Sequence, residues 1–297
     1  MGRNHPGPRR ALPALLAVAV AVVTTAVALP AGPASAQVPG RYVALGDSYT
    51  AGPLIPNQSL SPLGCLRSDQ DYPAEVQRAL GFASFADVSC SGADTGDMTA
   101  PQNVSPGPNP PQFDALTAGT TVVTVGIGGN DIGFSSIIES CVTLNPFATP
   151  CRDRYVRSGV DELAVRIQQT APKVAAVVQG IHQRAPGAAV FVVGYPAILP
   201  DTGYGCWPSM PLGWNDVPYL RSTEKALNAM LATQAAANGA VFVDTYGPSI
   251  GRDACRSSST RWVEPLVPAN PAAPVHPNAR GMDGMGAVVR AAIDAHT

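Results

Sequence analysis

Charge is scarce in this chain. Only 13% of its 297 residues are charged, and the formal net charge is −2, so there is no basic surplus with which to coat a nucleic acid. Lysine occurs at Lys173 and Lys225 alone, and histidine at four positions. There is no Cys-x-x-Cys pair and no histidine beside a cysteine pair, which excludes the usual zinc spacings. No internal repeat is present, and no shift of composition marks a domain break. Beyond the first 36 residues no apolar run is long enough to cross a bilayer. What is plentiful is apolar: 45% of residues are hydrophobic, which excludes disorder. The 29 glycines and 30 prolines follow no collagen-like period and indicate a globular body rich in loops. A body this long buries a full core without help from a metal or a second subunit.

The N-terminus reads as a segment apart. Arg3, Arg9 and Arg10 give it a basic start, and none of the first 36 residues is acidic. Ala11 to Pro30 is almost entirely Ala, Val and Leu, and Ala34-Ser35-Ala36 is the small-x-small triplet a signal peptidase cuts. A secretory leader over residues 1–36, cleaved after Ala36, is expected. Pro13, Pro30 and Pro33 argue against a membrane anchor. Arg9-Arg10 leaves a twin-arginine export route open beside the general one. Removing 36 of 297 residues leaves 261, and losing three of 19 basic residues while keeping all 21 acids moves the formal charge from −2 to −5. His5 goes with the leader, leaving His182, His276 and His296.

All six cysteines lie in the mature part, and an even count in an exported protein reads as three disulfides. Six cysteines allow 15 pairings. Sequential pairing, Cys65–Cys90, Cys141–Cys151 and Cys206–Cys255, is expected because each closes a modest loop.

Short apolar runs that end in Gly, Asp or Pro predict strands at Arg41–Leu45, Ser84–Cys90, Thr121–Val125, Ala188–Gly194 and Ala240–Tyr246. They suit strands buried on both faces. Helical patterns fall between them: Asp71–Leu80, one long helix over about Asp153–Arg184, Asp216–Asn238 with Gly239 as its stop, and a last one from near Pro277. This alternation predicts a parallel sheet with helices on both faces. The Pro/Gly-rich stretches Pro101–Pro111 and Gly203–Pro218 read as loops over a site.

Sites in open parallel sheets form beyond the carboxyl ends of the strands. Those ends carry Gly46-Asp47-Ser48-Tyr49, Cys90-Ser91-Gly92 and Gly126-Ile-Gly-Gly-Asn130-Asp131, and Val275-His276-Pro277-Asn278 lies near the C-terminus. A serine hydroxyl needs a base to become a nucleophile. His276 is the best base, since His182 is mid-helix and His296 is penultimate. Ester cleavage builds charge on the carbonyl oxygen, and donors aimed at it supply ~10²–10³ in rate each. The N–H groups of Ser48 and Gly92 and the Asn130 amide are three candidates.

Gly46-Asp47-Ser48, Gly92, Gly128-Gly129-Asn130-Asp131 and His276-Pro277 resemble, in order, the four blocks of the SGNH (GDSL-type) hydrolases. The resemblance runs from Arg41 to the C-terminus. The leader, the six cysteines and Cys90-Ser-Gly-Ala-Asp-Thr-Gly96 are similar to the secreted actinobacterial lipases and esterases of that family. It implies a three-layer α/β/α domain over residues 37–297 with a five-stranded, mostly parallel, flavodoxin-like sheet. It also implies Ser48 as nucleophile, His276 as general base and acid, and an oxyanion hole of Ser48, Gly92 and Asn130, with no metal or cofactor.

One block departs from the family pattern. An acid usually stands three residues before the histidine, and here that residue is Ala273, followed by Pro274 and Val275. The expectation is a Ser48/His276 dyad whose imidazole is oriented by the backbone carbonyl of Ala273 or Pro274, as in dyad lipases of the family. Glu264 and Asp283 remain candidate carboxylates. Asp47 reads as structural, His182 as a solvated helix residue. Leu54, Ile55, Ile132, Phe134 and Leu212 suggest a greasy groove, and Tyr204, Trp207 and Trp214 either line it or pack in loops.

Two decoys fail on context. Gly247-Pro-Ser249-Ile-Gly251 fits G-x-S-x-G, but no helical pattern follows it. Asp94-Thr-Gly96 and Asp201-Thr-Gly203 imitate an aspartic protease pair without the apolar strands such a pair needs. The expected activity is hydrolysis of acyl-lipid esters through an acyl-enzyme, by a monomer with transient lipid-interface contact and no nucleic-acid partner. The alternatives are the same chemistry on a phospholipid, a polyester or an acetylated sugar, or a non-catalytic binding protein on the same fold.

Overall fold

The structure is a computed structural model that describes residues 1–4, 7 and 40–297. The apolar run and cleavage triplet of the expected leader lie outside those residues. In chain order the strands are β1 (Arg41–Gly46), β2 (Ser84–Asp87), β3 (Thr120–Gly126), β4 (Val156–Arg157), β5 (Val160–Asp161), β6 (Ala189–Val193) and β7 (Val241–Val243). The helices are α1 (Ser48–Ala51), α2 (Tyr72–Leu80), α3 (Phe134–Cys141), α4 (Pro150–Tyr155), α5 (Glu162–Arg184), α6 (Asp216–Ala237), α7 (Tyr246–Ser249) and α8 (Ala279–Asp294).

Five strands make one sheet in the order β2-β1-β3-β6-β7, and every neighbouring pair is parallel. With the β4–β5 hairpin set aside, this is the flavodoxin-like order 2-1-3-4-5, whose switch point lies between β1 and β3. Tyr42, Ala44, Val122, Phe191, Val193 and Val243 face one side, buried against Tyr72, Val76, Met282, Met285, Val289 and Ile293. Val43, Leu45, Val123, Val125, Val190 and Val192 face the other, buried against Leu163, Ile167, Val174, Val177, Val178, Leu227 and Leu231. The period-2 alternation of the strands thus places α2 and α8 on one face and α5 and α6 on the other.

Caps explain where the helices begin. Asp71 accepts from the Ala74 N–H at 2.8 Å and Gly81 closes α2 at φ 63°. Asp161 accepts from Leu163 and Ala164 to start α5, and Asn278 accepts from Gly281 to start α8. The long helix expected over Asp153–Arg184 is two helices. Ser158 and Gly159 take positive φ between them and form the β4–β5 turn, and Asp161 caps afresh after it. Phe134–Cys141, where the sequence pattern predicts no helix, is α3. The sulfurs of Cys65 and Cys90, Cys141 and Cys151, and Cys206 and Cys255 are bonded.

Candidate active site

β1 delivers Ser48 to the switch point. Its last residue, Gly46, is clasped by the buried Gln112 amide, which accepts from the Gly46 N–H at 2.7 Å and donates to its carbonyl at 2.9 Å. Gly46 takes φ 152°, and a β-carbon there would collide with the Thr50 hydroxyl and the Gly126 carbonyl. The chain then turns into α1, capped by Asp47, whose carboxylate accepts from the Tyr49 N–H at 2.8 Å. Ser48 is therefore the first residue of a short helix, and no protein acceptor takes its N–H among the described residues.

The Ser48 hydroxyl lies 2.8 Å from His276 Nε2, and His276 Nδ1 lies 2.7 Å from the Pro274 carbonyl. A carbonyl only accepts, so Nδ1 carries the proton and Nε2 presents a lone pair to the serine. Of the two carbonyls expected from the sequence, Pro274 is the partner; the Ala273 carbonyl accepts from the His276 main-chain N–H instead. Burial lowers the proton affinity of His276 below its ordinary value, and the Pro274 bond partly opposes this.

Neither candidate carboxylate is spent on the imidazole. Glu264 is buried and accepts from Arg261, Ala269, Asn270 and Asn278. Burial alone would raise its pKa, but these donors outweigh it and hold it at about 2. Its role is architectural: Asn278 caps α8, and the Glu264 N–H donates to the His276 carbonyl at 2.9 Å. Asp283 sits on α8 beside Glu75, with its pKa raised by burial and by that neighbour.

Gly92 and Asn130 lie in turns that neighbour the serine turn: the Cys90 N–H donates to the Gly46 carbonyl and the Asp47 N–H to the Gly126 carbonyl. Gly92 takes φ 81°, and its N–H has no protein acceptor among the described residues. One Asn130 amide hydrogen goes to the Ala93 carbonyl at 2.8 Å, which leaves the other uncommitted. Asp131 ties the Gly92 loop to the Asn130 turn by accepting from the Thr95 N–H at 3.0 Å and the Thr95 hydroxyl at 2.6 Å; Lys173 adds an ion pair.

Two tyrosines escaped the sequence reading. Tyr195 donates to Asp47 at 2.6 Å and accepts from the Gly129 N–H at 2.8 Å, so one hydroxyl joins the serine turn to the asparagine turn. Burial pushes Asp47 up to about 7 against the hydrogen bonds from Tyr195 and Tyr49. Tyr49 donates to the Val275 carbonyl at 2.6 Å, and its ring lies 5.0 Å from the imidazole. Val275 takes φ 61°, a conformation a β-branched residue adopts only when its surroundings enforce it. Tyr195 follows strand β6, so the strand-end rule that pointed to Ser48 and Asn130 points to it as well.

Beside the dyad opens an apolar cavity lined by Gly129, Ile132, Phe134, Ile137, Tyr195, Ile198, Met210, Leu212 and Leu227, with Thr223 and Glu224 as its polar members. Phe134, one of its lining residues, packs edge-on against Tyr49 and His276, which puts that side of the cavity next to the imidazole. Ile132, Phe134 and Leu212 line it as expected. Leu54 is exposed, and Ile55 is buried in the core of the opposite sheet face. Tyr204, Trp207 and Trp214 lie outside the lining and are partly exposed. His182 is half-buried near Gly239, not solvated. Ser249 of the G-x-S-x-G decoy is fully buried between the Ala197 N–H and the Tyr246 carbonyl. Asp94 caps a 3₁₀ turn, while Asp201 pairs with Lys225. Among the described residues no group of three or more His, Cys, Asp or Glu forms a metal site.

Residues 44–283 match the family model for GDSL-like lipases and acylhydrolases. The chain is 42% identical over 257 residues to Lipase 2 of Streptomyces coelicolor, covering 84% of this chain and 85% of that one. The crystal structure of an extracellular lipase from Streptomyces rimosus superposes with a TM-score of 0.72 at 30% identity, covering 85% of this chain and 99% of that one. The structure of a phospholipase A1 from Streptomyces albidoflavus NA297 gives a TM-score of 0.71 at 27% identity, covering 87% and 99%.

Proposed function

The chain belongs to the family of GDSL-like lipases and acylhydrolases, and on that premise we propose that it cleaves acyl-lipid esters with a Ser48–His276 dyad steered by the Pro274 carbonyl. It is a carboxylic-ester hydrolase. The observation that carries the dyad is the unbroken line from Ser48 Oγ through the imidazole to a main-chain oxygen, with both contacts at hydrogen-bond length.

Ser48 Oγ attacks the ester carbonyl carbon while its proton passes to His276 Nε2. The negative charge that builds on the carbonyl oxygen is met by the N–H groups of Ser48 and Gly92 and the free Asn130 amide hydrogen. The C–O bond then breaks, and the leaving alcohol takes the proton back from Nε2. Water attacks the acyl-enzyme with His276 again as base, and the carboxylic acid departs. The Pro274 carbonyl holds the ring in the productive tautomer and faces the positive charge that forms on it. A carbonyl dipole offers less than a carboxylate, and burial of the imidazole keeps the resting base neutral.

The apolar lining of the cavity supports an aliphatic acyl chain over a polar acyl group. The lipase and phospholipase relatives support the same preference. Three disulfides and an extracellular relative support export: residues 1–36 are the leader, cut after Ala36, and residues 37–297 are the catalytic domain, working as a monomer. Hydrolysis of p-nitrophenyl esters of rising chain length tests the reading. The expected result is kcat/KM rising from the acetate to longer acyl groups. Ser48→Ala and His276→Ala should lose about 10⁴–10⁶ in kcat, and Asn130→Ala about 10²–10³. Unchanged turnover in Ser48→Ala would end the proposal.

A further inference from the structure

Outside the catalytic centre, residues 142–149 and 202–214 form two loops without a single charged side chain. They brace each other. The Thr143 N–H donates to the Pro211 carbonyl at 2.8 Å, the Trp214 N–H to the Pro146 carbonyl at 2.8 Å, and the Trp207 indole N–H to the Thr143 carbonyl at 3.3 Å. Phe147 and Trp214 meet edge to face with ring centroids 4.9 Å apart. The Cys141–Cys151 and Cys206–Cys255 bonds fix the loops to the body.

A loop pair tied this firmly has no folding reason to expose large apolar side chains, yet it does. Leu144 is 90% exposed and Phe147 72%, and Val142, Tyr204, Trp207 and Trp214 are exposed beside them. Of the 14 exposed large hydrophobic residues among those described, these two loops hold six. Their inner side chains, Met210 and Leu212, are buried and line the apolar cavity. The exposed patch is thus the outer surface of the cavity wall. Directly after the first loop, Arg152, Arg154 and Arg157 are exposed, with Asp153 between them and Glu139, Asp161, Glu162 and the buried Asp216 nearby, on a protein whose overall formal charge is negative.

We propose that these loops are a docking surface for a lipid–water interface containing anionic phospholipid. The inference rests on the acyl-ester reading only for its purpose, since binding is measured apart from turnover. Leu144 and Phe147 enter the acyl region, and the half-exposed rings of Trp207, Trp214 and Tyr204 sit at headgroup level with their polar edges in water. The arginines face the phosphates, which an acidic protein needs in order to approach an anionic surface. A bilayer is favoured over a second copy of the chain because the three exposed arginines complement lipid phosphate.

The test uses the mature protein carrying Ser48→Ala, so that vesicles survive, in co-sedimentation with phosphatidylcholine vesicles and with mixed phosphatidylcholine/phosphatidylglycerol vesicles. The expected result is preferential binding to the mixed vesicles, with a blue shift of Trp207 and Trp214 emission; Trp262 is already buried and contributes little. Adding Leu144→Ser and Phe147→Ser should lower vesicle affinity by roughly tenfold or more. In the Ser48 background the same pair should leave kcat/KM on p-nitrophenyl acetate within about twofold, since neither residue lines the cavity. Arg152→Gln with Arg157→Gln should erase the preference for the anionic vesicles. Undiminished binding by the Leu144/Phe147 variant would overturn the proposal. So would an equal loss of activity on the soluble ester, or a dimer in light scattering that the variant dissolves. Vesicle binding by the protein with Ser48 intact that hydrolyses no ester would uphold the docking surface and end the catalytic reading instead.

Discussion

His276 works as a base only while it is neutral, so its surroundings decide the pH at which the enzyme functions. Burial lowers its proton affinity, and the one bond that favours the charged ring, from Nδ1 to the Pro274 carbonyl, does not restore it. The acid limb of kcat/KM should therefore fall below the ordinary histidine value of 6.5, and rate should persist where an exposed histidine is already protonated. A pH profile on a soluble ester reads this, and a limb above pH 6.5 would contradict it. Tyr49 bears on the same ring through the backbone, because its hydroxyl secures the Val275 carbonyl in a left-handed conformation next to the histidine. Loss of one such buried bond is worth about 1 kcal/mol. Tyr49→Phe should thus lower kcat about fivefold with KM little changed, measured by steady-state kinetics.

The segment from Arg261 to Asn278 holds the Pro274 carbonyl that His276 Nδ1 meets, where the family pattern would place an acid. It carries no regular structure, so its geometry comes from the buried Glu264 carboxylate and its donors. Glu264→Gln leaves Arg261 buried without its counter-charge, which costs about 3–5 kcal/mol near neutral pH. Wild-type Glu264 is held at about 2 against an ordinary 4.5, so its stabilisation is complete above pH 4.5 and fades as the pH falls towards 2. The melting-temperature gap between variant and wild type should narrow over that window; a gap independent of pH would show that the ion pair is not its source.

Elements were legible where local chemistry settles them. The five strand runs and the helix starts near Asp71 and Pro277 are read from residue type, and Asp71 and Asn278 cap those helices. The break in the long helix was also written locally, in Ser158-Gly159 followed by a capping Asp161, but continuous apolar spacing hid it. Ser48, Gly92, Asn130 and His276 could be proposed from the sequence because Ser48 opens α1, Gly92 and Asn130 lie in the turns that follow β2 and β3, and His276 stands just before α8. The Tyr195 link to Asp47 and the Tyr49 link to Val275 span 148 and 226 residues, and no local pattern encodes such contacts.

At the scale of the whole molecule, a five-stranded parallel sheet is accompanied by three disulfides. Cys65–Cys90 ties the loop after α1 to the end of β2, next to Gly92. Cys206–Cys255 closes a separation of 49 residues and Cys141–Cys151 one of 10. Chain-entropy reasoning puts these two at about 4 and 3 kcal/mol. Replacing each pair by serine should lower stability to chemical denaturation in that order. The opposite ranking would mean that strain or residual structure in the unfolded chain outweighs loop closure.

The catalytic account of this chain depends on Ser48 being an activated nucleophile. An organophosphonate ester, which phosphonylates an activated serine and expels its leaving group, addresses that in one step. The mature protein should gain one phosphonyl group by intact mass, peptide mapping should place it on Ser48, and Ser48→Ala should take up none. A folded protein that stays unlabelled, or carries the label on another residue, would contradict the assignment of Ser48 and with it the dyad.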